Sequence, residues 1–221
     1  MNSKLIVIDG LDGSGKTTQF DIIGRELREK YGNVKMISFP DYDKPSSTLV
    51  KMYLNGEIAP DAGQVNAYAA SSFYAVDRYA SYKIYWENFY KNGGIVLAGR
   101  YVSSNAIHQM SKLPENEWDS YLEWLEDYEY GKLGLPKPDC VIFLDMPVEI
   151  SQRLMTARYN GDESRKDIHE ANVEYLNTCR KTALYAAEKL DWSVVECSGG
   201  GEALPIEEIT EKIRKIICSK L

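Results

Sequence analysis

Residues 4–18 read KLIVIDGLDGSGKTT: an apolar run that ends in a carboxylate, then three glycines, then a lysine and two threonines. The run lacks polar alternation, as expected of a strand covered on both faces. Residues 10–17 fit the pattern GxxxxGK[ST], and the next residues carry helical apolar spacing. Each residue type has a chemical reason. Gly10, Gly13 and Gly15 let the loop fold back so that its N–H groups, Ser14 included, point inward at phosphate oxygens. A helix opening near Lys16 adds its positive end. Lys16 would reach the β- and γ-phosphates, and the Thr17 hydroxyl would ligand Mg²⁺ alongside phosphates and water, with Thr18 beside it. The motif points to a nucleoside triphosphate and leaves open what is done with it.

Around this loop the chain alternates strands and helices. Lys4–Asp9, Asn33–Phe39, Gly94–Ala98, Asp139–Asp145 and Trp192–Cys197 read as strands. Helical spacing is expected over Thr17–Lys30, Gln64–Lys91, Ser104–Met110, Glu115–Tyr130, Val148–Arg158, Glu170–Leu190 and Ile206–Ile217. Such alternation predicts an α/β three-layer sandwich of the P-loop NTPase type, with a parallel sheet flanked by helices. No linker divides the chain, so one domain over 1–221 is expected. Gly199–Gly201 reads as a loop, and the polar stretch 160–167 (NGDESRKD) as an idle loop or a short lid, over about 158–167.

The 221 residues carry 26 Lys plus Arg against 33 Asp plus Glu, a net charge of −7. An acidic chain has no general attraction for nucleic acid or an anionic membrane, so an anionic ligand needs a local site. No run reaches the ~18 apolar residues of a membrane span. The N-terminus is charged too soon for a secretory signal, which points to the cytoplasm. Four cysteines without a CxxC pair, and two histidines, give no zinc pattern.

A GTPase should offer an NKxD guanine motif, and none is present. A small kinase remains the economical choice, and it needs arginines to gather the charge of two phosphorylated substrates. Arg78 lies in FYAVDR at 73–78, Arg100 follows the third strand, and Arg153, Arg158 and Arg165 flank or occupy the candidate lid.

The set GLDGSGKTT at 10–18, FPDY at 39–42, FYAVDR at 73–78, RYVSSNAIHQ at 100–109, GLPKPD at 134–139 and LDMPVE at 144–149 resembles the thymidylate kinases in order and spacing. The resemblance implies ATP-dependent phosphorylation of dTMP to dTDP, a five-stranded parallel sheet, Mg²⁺, and a homodimer. It implies that Asp12 accepts a hydrogen bond from the sugar 3′-hydroxyl, and that Tyr42 and Arg100 meet the 5′-phosphate beside Phe39. Tyr74 takes the place of the aromatic that stacks on the base, with Phe73 as its fallback. Arg78 would contact the base, and Asn105 or Ser104 would read its polar edge. ATP would lie on residues 10–18 and Arg153. Lys16, Arg100 and a lid arginine, Arg158 or Arg165, would be catalytic.

The chain departs from that family twice. Gly99 stands where Asp usually precedes Arg-Tyr, and His108 stands where a tyrosine usually faces the sugar 2′-position. Three roles stay open for His108: filling that space, loosening sugar discrimination, or capping a helix. Three functional readings follow. They are a dTMP kinase, a same-fold kinase for another nucleotide or deoxynucleoside, and a nucleotide-binding protein with little catalysis.

Overall fold

A computed structural model describes residues 3–158 and 173–221. Its central strand is β1 (Lys4–Gly10), followed by α1 (Lys16–Tyr31) and β2 (Val34–Ser38). Then come α2 (Thr48–Leu54), α3 (Ala67–Ser81), α4 (Glu87–Lys91), β3 (Ile95–Gly99), α5 (Ser103–His108) and α6 (Trp118–Glu126). β4 (Cys140–Asp145), α7 (Val148–Arg158), α8 (Val173–Lys189) and β5 (Ser193–Glu196) follow. A small hairpin of β6 (Ser198–Gly199) and β7 (Glu202–Ala203) precedes α9 (Ile206–Lys220).

The five main strands form one parallel sheet in the order β2-β3-β1-β4-β5. β1 pairs with both β3 and β4, Ile6 lying opposite Leu97 on one side and Cys140 on the other. Successive side chains of a strand point to opposite faces. Leu5 and Val7 therefore enter a layer with Trp86, Tyr101 and Tyr121, while Ile6 and Ile8 enter one with Ile23 of α1 and Ile213 of α9. Burial on both faces explains the unbroken apolar runs. All five expected strands are present, each within a residue or so of its expected ends.

The helices differ more. Gln64–Lys91 does not run as one helix. The Asn66 side chain accepts from the Ala69 N–H at 2.8 Å and starts α3 at Ala67. A π-helical turn over Tyr82–Trp86 then interrupts it, and the extra residue lets both Tyr82 and Trp86 be buried. A second π turn, Asp127–Lys132, follows α6 and buries Glu129. α2 is absent from the sequence expectation; its seven residues follow a Lys-Pro-Ser-Ser stretch that reads as loop. The expected glycine loop is the β6–β7 hairpin, turned by Gly200 and Gly201 at φ 60 and 82°. Cys140, Cys179 and Cys197 are buried as free thiols and Cys218 is exposed.

Ile6 is fully buried between two neighbouring strands. Ile6→Ala is expected to lower unfolding free energy by about 2–5 kcal/mol. Urea denaturation checks this, and a loss below about 1 kcal/mol would contradict the packing described.

Candidate active site

The carboxyl ends of β1, β2 and β3 open into a cavity of about 560 Å³. That is where open α/β sheets bind ligands, beside the point at which strand order reverses. A smaller cleft of about 190 Å³ lies at the other end of the sheet, near the start of β4, and includes no P-loop residue.

The phosphate loop lies at one end of the large cavity. Gly13 has φ 78°, and a Cβ there would come 2.8 Å from the Ser151 carbonyl oxygen, so only glycine fits against α7. Gly15, at φ 83°, leads into α1 with no side-chain cap, which leaves first-turn N–H groups for an anion. The Ser14 hydroxyl is buried without a hydrogen-bond partner, an orphan polar atom within the cradle. Lys16 Nζ donates to the Gly10 carbonyl at 3.2 Å and lies 3.9 Å from Asp12. Burial, and then the nearby Arg100, lower the Lys16 ammonium to about 8. Lys16 and Thr17 both line the cavity.

Asp9 anchors this end to the loop after β3. It is fully buried, accepts from the Gly10 N–H at 2.8 Å, and accepts from the Ser103 and Ser104 hydroxyls at 2.7 Å each. Arg100, between those segments, has φ 67°. That left-handed conformation is costly for a residue with a Cβ, by about 1–3 kcal/mol, and is tolerated where surroundings enforce it. Arg100 Nη2 donates to Asp12 at 2.6 Å, and Nη1 meets His108 Nε2 at 3.0 Å. A guanidinium only donates, so Nε2 accepts and the ring proton sits on Nδ1, 3.4 Å from the Tyr175 hydroxyl. Burial first, then Arg100, push His108 down to about 4, so it is neutral at pH 7. His108 therefore holds Arg100 as an acceptor and supplies no cationic contact.

The far end of the cavity is aromatic and polar. Tyr74, Arg78, Asn105 and Phe39 line it, with Tyr42 half exposed at its edge. Arg78 is 1 % exposed, and its fork closes on the fully buried Glu129 (Nε–Oε2 2.7 Å, Nη2–Oε1 2.6 Å). Tyr74 lies in the cavity, whereas Phe73 packs on Tyr53 at 6.0 Å outside its lining. Of the two candidates for a polar base edge, Ser104 has its hydroxyl committed to Asp9, and Asn105 keeps an amide oxygen to offer.

The structure thus brings Asp12, Lys16, Thr17, Phe39, Tyr42, Tyr74, Arg78, Arg100, Ser104, Asn105 and His108 to one cavity. Gly10, Gly13, Ser14, Gly15 and Thr18 shape the loop behind it. Arg153 is not there: it donates to the Gly201 carbonyl at 2.6 Å and pairs with Glu202 at 3.4 Å, tying α7 to the hairpin. Arg158 ends α7; its side chain, Arg165 and the expected lid beyond residue 158 lie outside the described residues. Sequence reading missed Tyr53 and Leu54 of α2, Tyr175 of α8, Gln109 and Phe20, all of which line the cavity. Gln109 closes the stretch 100–109 quoted above; the others belong to no short motif, and only the fold unites them.

A family model described as thymidylate kinase matches residues 8–213. The chain belongs to the thymidylate kinase family. It is 30% identical to the thymidylate kinase of Mycobacterium tuberculosis over 184 residues, which cover 82% of this chain and 84% of that one. It is 26% identical to a probable thymidylate kinase of Pyrobaculum aerophilum over 215 residues, 96% of this chain and 97% of the other. The fold is similar to that of thymidylate kinase from Candida albicans, with TM-score 0.71, 22% identity, and coverage of 99% of this chain and 92% of that one.

The departure from the thymidylate kinase pattern at Gly99 has a steric counterpart. A Cβ there would sit 3.3 and 3.4 Å from ring carbons of Phe20, so an aspartate would require that ring to shift. The departure at His108 is filled by the Arg100 contact described above.

Arg100 enters the cavity from the loop after β3, held by Asp12 at 2.6 Å and His108 at 3.0 Å. Arg100→Ala is expected to raise the KM for a nucleoside monophosphate at least about tenfold while the KM for ATP changes little. Steady-state kinetics with each substrate varied in turn checks this; equal effects on both would contradict the assignment.

Proposed function

We propose that the protein transfers the γ-phosphoryl group of ATP to dTMP, giving ADP and dTDP, as a single cytoplasmic kinase domain. One observation supports this above all. A single cavity holds a phosphate loop at one end, Arg100 beside it, and a donor and acceptor pair, Arg78 and Asn105, against Tyr74 at the other. That order fits a triphosphate, a monophosphate and a base.

The chemistry needs two polyanions held in line. A phosphate oxygen of dTMP attacks the γ-phosphorus, and the bond from that phosphorus to the bridging oxygen of ADP breaks. The attacking oxygen is already anionic near neutrality, since the second pKa of a phosphomonoester is ~6, so no general base is required. Neutral His108 agrees with that. Lys16 neutralises charge on the β- and γ-phosphates, and Arg100 orients the acceptor. Among the described residues no three His, Cys, Asp or Glu side chains cluster to hold a metal. Mg²⁺ would instead be held by the Thr17 hydroxyl, phosphates and water, a donor set of oxygens that suits it. Bound there, it would neutralise phosphate charge.

The reading extends to ATP across residues 10–18 and Arg153, to a lid arginine (Arg158 or Arg165), and to a homodimer. The exposed Val76, Tyr79 and Ile84 on α3 and the turn after it offer that dimer an apolar face. No nucleic acid or membrane partner is proposed. Among the described residues no helix is long and apolar enough to cross a membrane.

ADP release with Mg-ATP and a panel of dTMP, dUMP, UMP, dCMP, AMP and thymidine tests the proposal. The highest kcat/KM is expected with dTMP. A higher value with another acceptor, or nucleotide binding without turnover, would overturn it.

A further inference from the structure

Behind the base end of the cavity stands Glu129, fully buried on the π turn after α6 and outside the cavity lining. Its two oxygens face three donors. Oε2 accepts from Arg78 Nε at 2.7 Å, and Oε1 accepts from Arg78 Nη2 at 2.6 Å and from Asn105 Nδ2 at 2.9 Å. The second Asn105 N–H goes to the Ser71 carbonyl at 3.2 Å. Both partners of that amide group can only accept, so the orientation of Asn105 is fixed by chemistry: NH₂ toward Glu129 and Ser71, Oδ1 away from them. Ser71 and Tyr121 brace the same residue, the hydroxyls lying 2.7 Å apart and Tyr121 donating to the Asn105 carbonyl at 3.2 Å.

Arg78 is fixed by the same carboxylate. Nε and one Nη2 hydrogen are taken by Glu129, and one Nη1 hydrogen by the Tyr101 carbonyl at 3.3 Å. The N–H groups left over lie on the Nη1–Nη2 edge. The lining of the cavity thus offers a fixed donor from Arg78 beside a fixed acceptor from Asn105.

We propose that Glu129, which touches no substrate, is the positioning residue that sets base selectivity, by holding this donor and acceptor for a pyrimidine-2,4-dione. The inference rests on the reading of the cavity as a dTMP site. A dione presents a carbonyl oxygen next to an N3–H, the complement of the pair. Cytosine presents an amino group next to a bare N3, which sets donor against donor and acceptor against acceptor. With a glutamine at 129, one oxygen becomes an NH₂ group facing Arg78 or Asn105. The guanidinium then loses its carboxylate, and the amide loses the reason to keep its NH₂ inward.

The test compares kcat/KM for dTMP, dUMP and dCMP in the wild type, Glu129→Gln and Glu129→Asp. dUMP and dCMP differ only on the edge in question, so their ratio isolates it. In Glu129→Gln the preference for dUMP over dCMP is expected to fall at least about tenfold, through KM for the monophosphate, while KM for ATP is unchanged. Glu129→Asp keeps the charge, so Arg78 is not left unpaired, but shortens the reach; its ratio is expected to fall as well. If Glu129→Gln does not fold, Glu129→Asp decides. A parallel loss with both acceptors, leaving the ratio at its wild-type value in a folded variant, would overturn the inference and mark Glu129 as a structural residue only. Failure of the wild type to phosphorylate dTMP would instead overturn the reading on which it rests.

Discussion

A carboxylate taken fully out of water must be met by donors, and Asp9 finds three: the Gly10 N–H and the hydroxyls of Ser103 and Ser104. The first belongs to the phosphate loop and the other two to the start of α5. Arg100, whose Nη1 lies 4.0 Å from the same carboxylate, sits between them in a conformation that most side chains avoid. The parallel pairing of β1 with β3 brings the two segments side by side, and Asp9 fixes their separation. In the proposed reaction, in-line transfer needs that separation, with the donor phosphate on the loop and the acceptor phosphate on Arg100.

Charge is concentrated locally in a chain that is acidic as a whole. Lys16, Arg78 and Arg100 face one cavity, and the two arginines are matched by carboxylates of different kinds. Asp12 shares Arg100 with the cavity, at 28 % side-chain exposure. Glu129 is fully buried and holds Arg78 in place without access to the cavity. A partly exposed partner can yield to a substrate anion, whereas a buried bidentate pair is too costly to open and serves alignment. The two arginines named together by the sequence are thus held differently, Arg100 by a partly exposed carboxylate and Arg78 by a buried one.

Most of the sheet and the phosphate loop were legible in the sequence, because both are written in local patterns. Strands buried on both faces show unbroken apolar runs, and the loop needs glycines at fixed offsets. What escaped depends on contacts distant in the chain. Glu129 is one of several acidic residues in a stretch that reads as a single helix; only the π turn, and an arginine 51 positions earlier, reveal its place. Tyr175 meets His108 across 67 positions, and α2 carries Tyr53 into the cavity from a segment given no element in the sequence reading. Arg153, which the resemblance assigns to ATP, lies outside the cavity lining and donates to the Gly201 carbonyl of the β6–β7 hairpin.

The central claim is that one buried carboxylate holds both phosphate clamps. Asp9→Asn keeps the volume, removes the charge near Arg100 and turns an acceptor into a donor facing two hydroxyls. Steady-state kinetics of that variant should show the KM for ATP and for the monophosphate rising together, with kcat reduced about a hundredfold or more. A change confined to one substrate, with kcat preserved, would contradict the account and mean that the two clamps are set independently.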